Sequence, residues 1–281
     1  MSSITLLGAT EIRALAAELD LHPSKGLGQN FVIDANTCQK IVRLAEVRSS
    51  DHVVEVGPGL GSLTLAILQA TSHVTAIEID KRLAARLPIT ARDHGVNDGA
   101  LTVISHDALH IHEIEGAPTK LVANLPYNVS VPVLLNFLER FPTITSGVVM
   151  VQAEVAERLA AAPGGKEYGA PSAKAAWWCE MSIADSVSRS VFWPVPNVDS
   201  LLVKFIRHEP IGDEALRKRT FDLIDRAFGQ RRKMLRSIYA DFLGGSAKVE
   251  ELLRAVGIDP TTRGESLSIR QFAAIARELD K

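Results

Sequence analysis

Val53-Val54-Glu55-Val56-Gly57-Pro58-Gly59-Leu60-Gly61 is the stretch that decides the fold of this chain. A β-branched run ends in three alternating glycines, and a helix-compatible apolar stretch opens at about Ser62. Without a Cβ, glycine lets the backbone turn sharply out of a strand and pass close to a ligand. A strand that feeds such a turn and then a helix begins a unit in which the two elements alternate.

That alternation continues on the C-terminal side. Residues 52–56, 74–79, 101–105, 121–123 and 147–151 read as strands. Residues 63–69, 82–92, 131–140 and 154–161 have the helical period. Right-handed crossovers then give an α/β fold, a doubly wound, mostly parallel sheet with helices on both faces. Residues 182–190 and 200–207 are strand-like with no clear helix between them, so an antiparallel edge is expected there. After Pro210 the pattern changes to helices at 213–228, 230–242, 248–256 and 269–279, broken at Gly244-Gly245 and Asp259-Pro260. Two domains follow: residues 1–208, with a helical extension over about the first 50, and a small all-helical domain at 209–281.

The glycine turn narrows the ligand. Glu78 ends the second strand 21 residues after Gly57, where a carboxylate can accept both ribose hydroxyl protons. Dinucleotide sites use G-x-G-x-x-G so that a helix amino end faces pyrophosphate. Here Gly57, Gly59 and Gly61 form G-x-G-x-G, Pro58 sits inside, and Glu55 stands two residues ahead. S-adenosylmethionine carries a cationic amino group and a sulfonium and no phosphate, which suits a carboxylate beside the loop. Asp107, just after the third strand, is placed to accept from its adenine amine. Taken alone, a glycine turn is a structural corner about as often as a ligand site, and an Asp after a strand is often a helix cap. Three such elements at ordered strand ends favour the cofactor.

Asn124-Leu125-Pro126-Tyr127 ends the fourth strand, beside that loop in a doubly wound sheet. Its residues fit the methylation of an exocyclic adenine amine, whose lone pair is delocalised into the ring. The Asn124 side-chain oxygen and the Leu125 carbonyl can accept the two N–H bonds and localise that lone pair. Pro126 holds Leu125 extended and so aims its carbonyl. Tyr127 offers a ring on which an extruded base can stack. No strong general base is needed, because the methylated amine is acidic; catalysis is mainly alignment. The plain alternative is a strand-ending turn with a packing tyrosine. Further on, Phe192-Trp193-Pro194-Val195-Pro196 holds two aromatics in a proline-stiffened approach to a strand. On chemistry alone either Phe192 or Trp193 could close the other face of the base, or both could be packing.

The bulk composition is that of an ordinary globular protein: 281 residues, 46% hydrophobic and 23% charged. Its two cysteines, Cys38 and Cys179, lie far apart, which excludes a disulfide framework and gives no metal signature. No apolar run approaches a membrane span, and the first twenty residues carry Glu11, Arg13, Glu18 and Asp20, unlike a signal peptide. A cytoplasmic, metal-free, monomeric protein is expected. The net charge of −2 hides an asymmetry, since residues 201–281 hold 16 Lys+Arg against 12 Asp+Glu. Residues 217–236 carry eight basic side chains against Asp222 and Asp225 alone. Such a block suits phosphates, although a solvated helix face would look the same.

Nearly the whole chain resembles the KsgA/RsmA-type ribosomal RNA adenine dimethyltransferases. The resemblance is carried by Gly28-Gln29-Asn30-Phe31-Val32, the stretch 54–61, Glu78-Ile79-Asp80, Asp107-Ala108 and Asn124-Leu125-Pro126-Tyr127-Asn128. It continues in Gln152-Ala153-Glu154-Val155-Ala156-Glu157-Arg158, residues 192–200, Phe228-Gly229-Gln230-Arg231-Arg232-Lys233 and Arg263-Gly264-Glu265-Ser266-Leu267-Ser268. It implies dimethylation of two adjacent adenosines in the 3′-terminal hairpin loop of small-subunit (16S) rRNA, within an immature small ribosomal subunit. It also implies cofactor contacts from Asn30, Val32, Gly57, Glu78, Asp107 and Asn124, base stacking by Tyr127 and Phe192, and rRNA contacts from Arg231, Arg232 and Lys233. One departure stands out: Ala170-Pro171-Ser172 follows Tyr168-Gly169 where the family has Arg-Leu-Ser. Two alternatives are a large-subunit rRNA adenine methyltransferase of the erythromycin-resistance type and a ribosome-assembly factor acting mainly by binding.

Overall fold

The β-branched run after Asp51 forms a strand buried at all four positions, as a central parallel strand must be. The computed structural model describes residues 4–21 and 30–279. Its elements begin α1 (Ala9–Glu18), β1 (Phe31–Val32), α2 (Ala35–Leu44), β2 (Val53–Val56), α3 (Ser62–Leu68), β3 (Val74–Glu78), α4 (Lys81–Asp93) and β4 (Leu101–Ser105). They continue with β5 (Lys120–Asn124), α5 (Ser130–Arg140), β6 (Ser146–Gln152), α6 (Ala153–Leu159), α7 (Ala170–Ala175), β7 (Cys179–Val187), β8 (Phe192–Trp193) and β9 (Ser200–Arg207). Four further helices follow: α8 (Glu214–Gly229), α9 (Leu235–Leu243), α10 (Ser246–Ala255) and α11 (Ile269–Glu278).

Seven strands form one sheet in the order β4-β3-β2-β5-β6-β9-β7. Strands β2 to β6 run parallel, and β9 returns antiparallel to β6, the edge expected from the missing helix. Successive strands step outward from β2 through β3 and β4, then from β5 through β6 on the other side. The order therefore reverses between β2 and β5, which opens a crevice at their carboxyl ends. Helix α3 is buried at every position, consistent with its apolar character all round. Strand β1 pairs antiparallel with β8, and the Phe31 and Trp193 rings stack with centroids 6.3 Å apart. Gly28 and Gln29 lie outside the described residues.

The chain divides into two compact units, Met1–Ala156 with Ser182–Arg207, and Glu157–Met181 with His208–Lys281. Sequence periodicity puts residues 157–181 with the sheet; in the fold they pack with the C-terminal helices. Aromatic burial explains this. The buried Trp177 and Trp178 meet the Phe221 ring edge-on, and the Tyr168 hydroxyl donates to the Leu267 carbonyl at 2.9 Å. Pro171 falls in the first turn of α7, where its missing N–H has no helical partner to lose. The helix expected from residue 230 starts only at Leu235. Residues 231–234 form a turn instead, bridged at Met234 to Arg263. No helix among the described residues is long and apolar enough to cross a membrane.

Candidate active site

A cavity fills the crevice at the β2/β5 switch point. Gly57 and Gly59 reach it from the turn after β2, Glu78 from the end of β3, and Asp107 from the loop after β4. Asn124, Leu125 and Tyr127 enter from the end of β5, and Asn30 and Val32 from around β1. Both glycines are constrained. At Gly57 (φ +70°) an added Cβ would sit 3.5 Å from Pro126 Cγ and Cδ, so the two loops abut. At Gly59 (φ +59°) it would meet the Phe31 ring at 2.9 Å, closer than a real Cβ tolerates.

The acidic groups divide in function. Glu78 is 5% exposed; its Oε2 accepts the Gly59 N–H at 3.1 Å and its Oε1 the Asp80 N–H at 2.9 Å. It therefore ties the glycine turn to β3, while burial pushes its pKa up against those two bonds. Asp107 Oδ1 accepts the Leu109 N–H at 2.9 Å and Oδ2 lies 3.1 Å from His110 Nδ1, so it caps a turn as well as lining the cavity. Glu55 behaves differently from the free carboxylate expected beside a cation. At 1% exposure its Oε2 takes the Thr64 hydroxyl at 2.6 Å, and burial lifts its pKa to about 8. It is a neutral acid near pH 7, because desolvation outweighs the Thr64 bond.

Asn124 is the most informative group. Its Nδ2 donates to the Asn30 carbonyl at 3.1 Å, whereas its Oδ1 is buried with no hydrogen-bond partner among the described residues. Leaving a buried acceptor unpaired costs about 1–3 kcal/mol, so such an atom marks a place for a donor. The Leu125 N–H is held by the Met150 carbonyl at 3.1 Å, which fixes the turn to β6. The Tyr127 ring is half-buried, and its hydroxyl lies 2.7 Å from Ser200 Oγ. Burial raises the phenol above its ordinary pKa, against the pull of the Ser200 bond, so it stays protonated.

Other expected residues make contacts of a different kind. Phe192 is 1% exposed and belongs to the hydrophobic core; its ring is not on the cavity wall. Trp193 is partly buried against Phe31. In the helical unit, Arg231 Nε donates to Glu265 Oε2 and its Nη2 to the Lys166 carbonyl, both at 2.7 Å. Arg232 and Lys233 beside it are exposed. Motif reasoning misses Thr64 and Ser200, and it names Asn30 without its carbonyl's hold on Asn124. The Asn30 carbonyl and Ser200 act across 94 and 73 positions, and Thr64 reaches back across the glycine turn to Glu55, so no strand or helix period announces them.

The cavity passes a test for a cationic nucleoside cofactor. Among the described residues its wall carries Glu55, Glu78 and Asp107 but no lysine or arginine, which is wrong for pyrophosphate and right for a sulfonium. The two glycines leave backbone room that side chains would fill. Fold and site together define an S-adenosylmethionine-dependent methyltransferase that works on an amine. The chain belongs to the ribosomal RNA adenine dimethylase family, whose model matches residues 22–281.

It is 57% identical over 279 residues to the ribosomal RNA small subunit methyltransferase A of Leifsonia xyli, covering 98% of this chain and 99% of that one. It is 54% identical to the protein of that name from Streptomyces coelicolor, again over 98% and 99%. Among solved structures it is similar to a dimethyladenosine transferase from Plasmodium falciparum, with TM-score 0.78, 25% identity, and coverage of 89% of this chain and 97% of that one. The 23S rRNA methyltransferase ErmE matches with TM-score 0.67 and 26% identity, covering 90% and 100%. The much higher identity to the small-subunit enzymes disfavours the large-subunit alternative.

Proposed function

We propose that this chain dimethylates N6 of two adjacent adenosines in the 3′-terminal hairpin loop of small-subunit rRNA, through the residues of the switch-point cavity. Bound S-adenosylmethionine supplies a methyl group on an electrophilic sulfonium. Gly57 and Gly59 would give it main-chain room, Glu78 would hold its ribose, Asp107 would accept from its adenine amine, and Asn30 and Val32 would close one wall. Asn124 Oδ1 and the Leu125 carbonyl accept the two N–H bonds of the target amine and turn its lone pair toward the methyl. Tyr127 stacks on the extruded base. Phe192 would take the other face only if its ring left the core, where it lies 1% exposed on β8.

The observation that carries this reading is the buried Asn124 Oδ1 beside the glycine turn, which has no hydrogen-bond partner among the described residues. It has the reach and polarity of an acceptor for an amine, and Asn30 prevents the amide from turning its nitrogen that way. Arg232 and Lys233, exposed on the basic turn of the helical unit, are candidates for rRNA phosphates. In this reading the enzyme acts as a monomer, and its substrate would place it in the cytoplasm.

The test is to offer unmodified small and large ribosomal subunits with labelled cofactor and map the methylated adenines by mass. Label on two adjacent small-subunit adenines is expected. Label on the large subunit alone would overturn the proposal.

A further inference from the structure

Tyr127 sits on an irregular turn, yet its hydroxyl meets the Ser200 hydroxyl at 2.7 Å across 73 positions of chain. The two ends of this pair differ in rigidity. Ser200 is 1% exposed, opens β9 and pairs with Gln152 of β6. Asp199, immediately before it, is gripped by Arg189: Nε reaches Oδ1 at 2.6 Å and Nη2 reaches Oδ2 at 3.1 Å. The Asp199 carbonyl also accepts the Ala153 N–H at 2.8 Å. A forked arginine and a strand pair thus fix the chain that presents the serine.

A tyrosine ring is set by two torsions, so anchoring its far oxygen fixes both its tilt and its depth. We infer that Ser200 is a positioning residue for methyl transfer, holding the Tyr127 ring at the height where a stacked adenine aligns its amine with Asn124. This rests on the stacking reading of Tyr127. The phenol, which burial keeps protonated, can donate or accept in this bond. Misplacement of a reacting group by a fraction of an ångström slows transfer more than it weakens binding.

The test compares Tyr127→Phe, Ser200→Ala and the double variant by single-turnover methyl transfer and by calorimetric cofactor affinity. A third readout is the fluorescence of small-subunit rRNA carrying 2-aminopurine at the target position, which a stacked ring quenches. Each single variant is expected to slow transfer about two- to tenfold, the worth of one hydrogen bond, with cofactor affinity unchanged. The double variant should be no slower than the slower single one, and quenching should weaken in all three. The inference is overturned if Tyr127→Phe matches the native enzyme in rate and quenching, or if the rate effects multiply. Because Tyr127→Phe keeps the ring, it decides the matter even if Ser200→Ala folds poorly. Tyr127→Ala separates the two levels: an inactive Ala variant beside a normal Phe variant removes Ser200 but leaves stacking, and a fully active Ala variant removes both.

Discussion

Asn124 Nδ2 donates to the main-chain carbonyl of Asn30, 94 positions earlier, and this one bond decides which end of the amide is engaged by the protein itself. With the nitrogen engaged, Oδ1 is left as a buried acceptor. Replacing Asn124 by Ala should abolish methyl transfer, by at least about a hundredfold, while RNA binding stays nearly intact. Asn124→Asp should fail as well, since a carboxylate cannot donate to Asn30. Single-turnover rates beside filter-binding affinities check both. Retained activity in either variant would remove the acceptor from the mechanism. If cells that grow poorly without this protein are fully rescued by Asn124→Ala, binding rather than chemistry is its main role.

Glu55 gives a stability prediction with a definite sign. Burial raises its carboxyl from 4.5 to about 8 in the folded chain. Below about pH 4.5 folded and unfolded chains both carry the proton, so the group's contribution is complete there. Between those values only the folded chain keeps it; unfolding releases a proton, and stability falls as pH rises. The decrease amounts to about 3–5 kcal/mol by pH 8 and then levels off. Glu55→Gln lacks this titration. Urea unfolding of both proteins from pH 5 to 9 should show the native chain losing ground steadily against the variant; parallel curves would refute the buried acid.

Phe192 separates packing from stacking. As a 1% exposed core ring, its change to Ala should cost about 3–5 kcal/mol of unfolding free energy. Phe192→Leu fills most of the space and should retain methyl transfer within about threefold, under 1 kcal/mol of barrier. A well-folded Leu variant slowed tenfold or more would instead show that the ring reaches the base.

The basic turn splits into two kinds of arginine. Arg231 is committed to Glu265 and the Lys166 carbonyl, so Arg231→Ala should lower stability by about 1 kcal/mol and barely change the salt dependence of RNA binding. Arg232→Ala with Lys233→Ala should flatten the plot of log affinity against log salt by about 0.7–0.9 for each phosphate no longer neutralised. Titrations from low to moderate salt distinguish the two, and an unchanged slope in the second variant takes those residues out of the interface.

Much of this protein is dictated locally and was therefore legible along the chain. The glycine turn, the carboxylate closing the next strand and the Asn-Leu-Pro-Tyr turn follow from backbone freedom, strand period and proline geometry, each a matter of a few neighbouring residues. They give the alternating sheet, its switch point and the position of the cavity. What only the tertiary structure decided depends on partners far apart in sequence. Burial made Glu55 a neutral acid latched to Thr64, because desolvation depends on everything packed around a group. It drew Phe192 into the core, moved residues 157–181 to the helical unit through Trp177 and Trp178, and let Glu265 claim Arg231. The orientation of the Asn124 amide belongs to the same class: the sequence supplies the amide, but only the carbonyl brought in by β1 determines which of its ends is left to meet an amine.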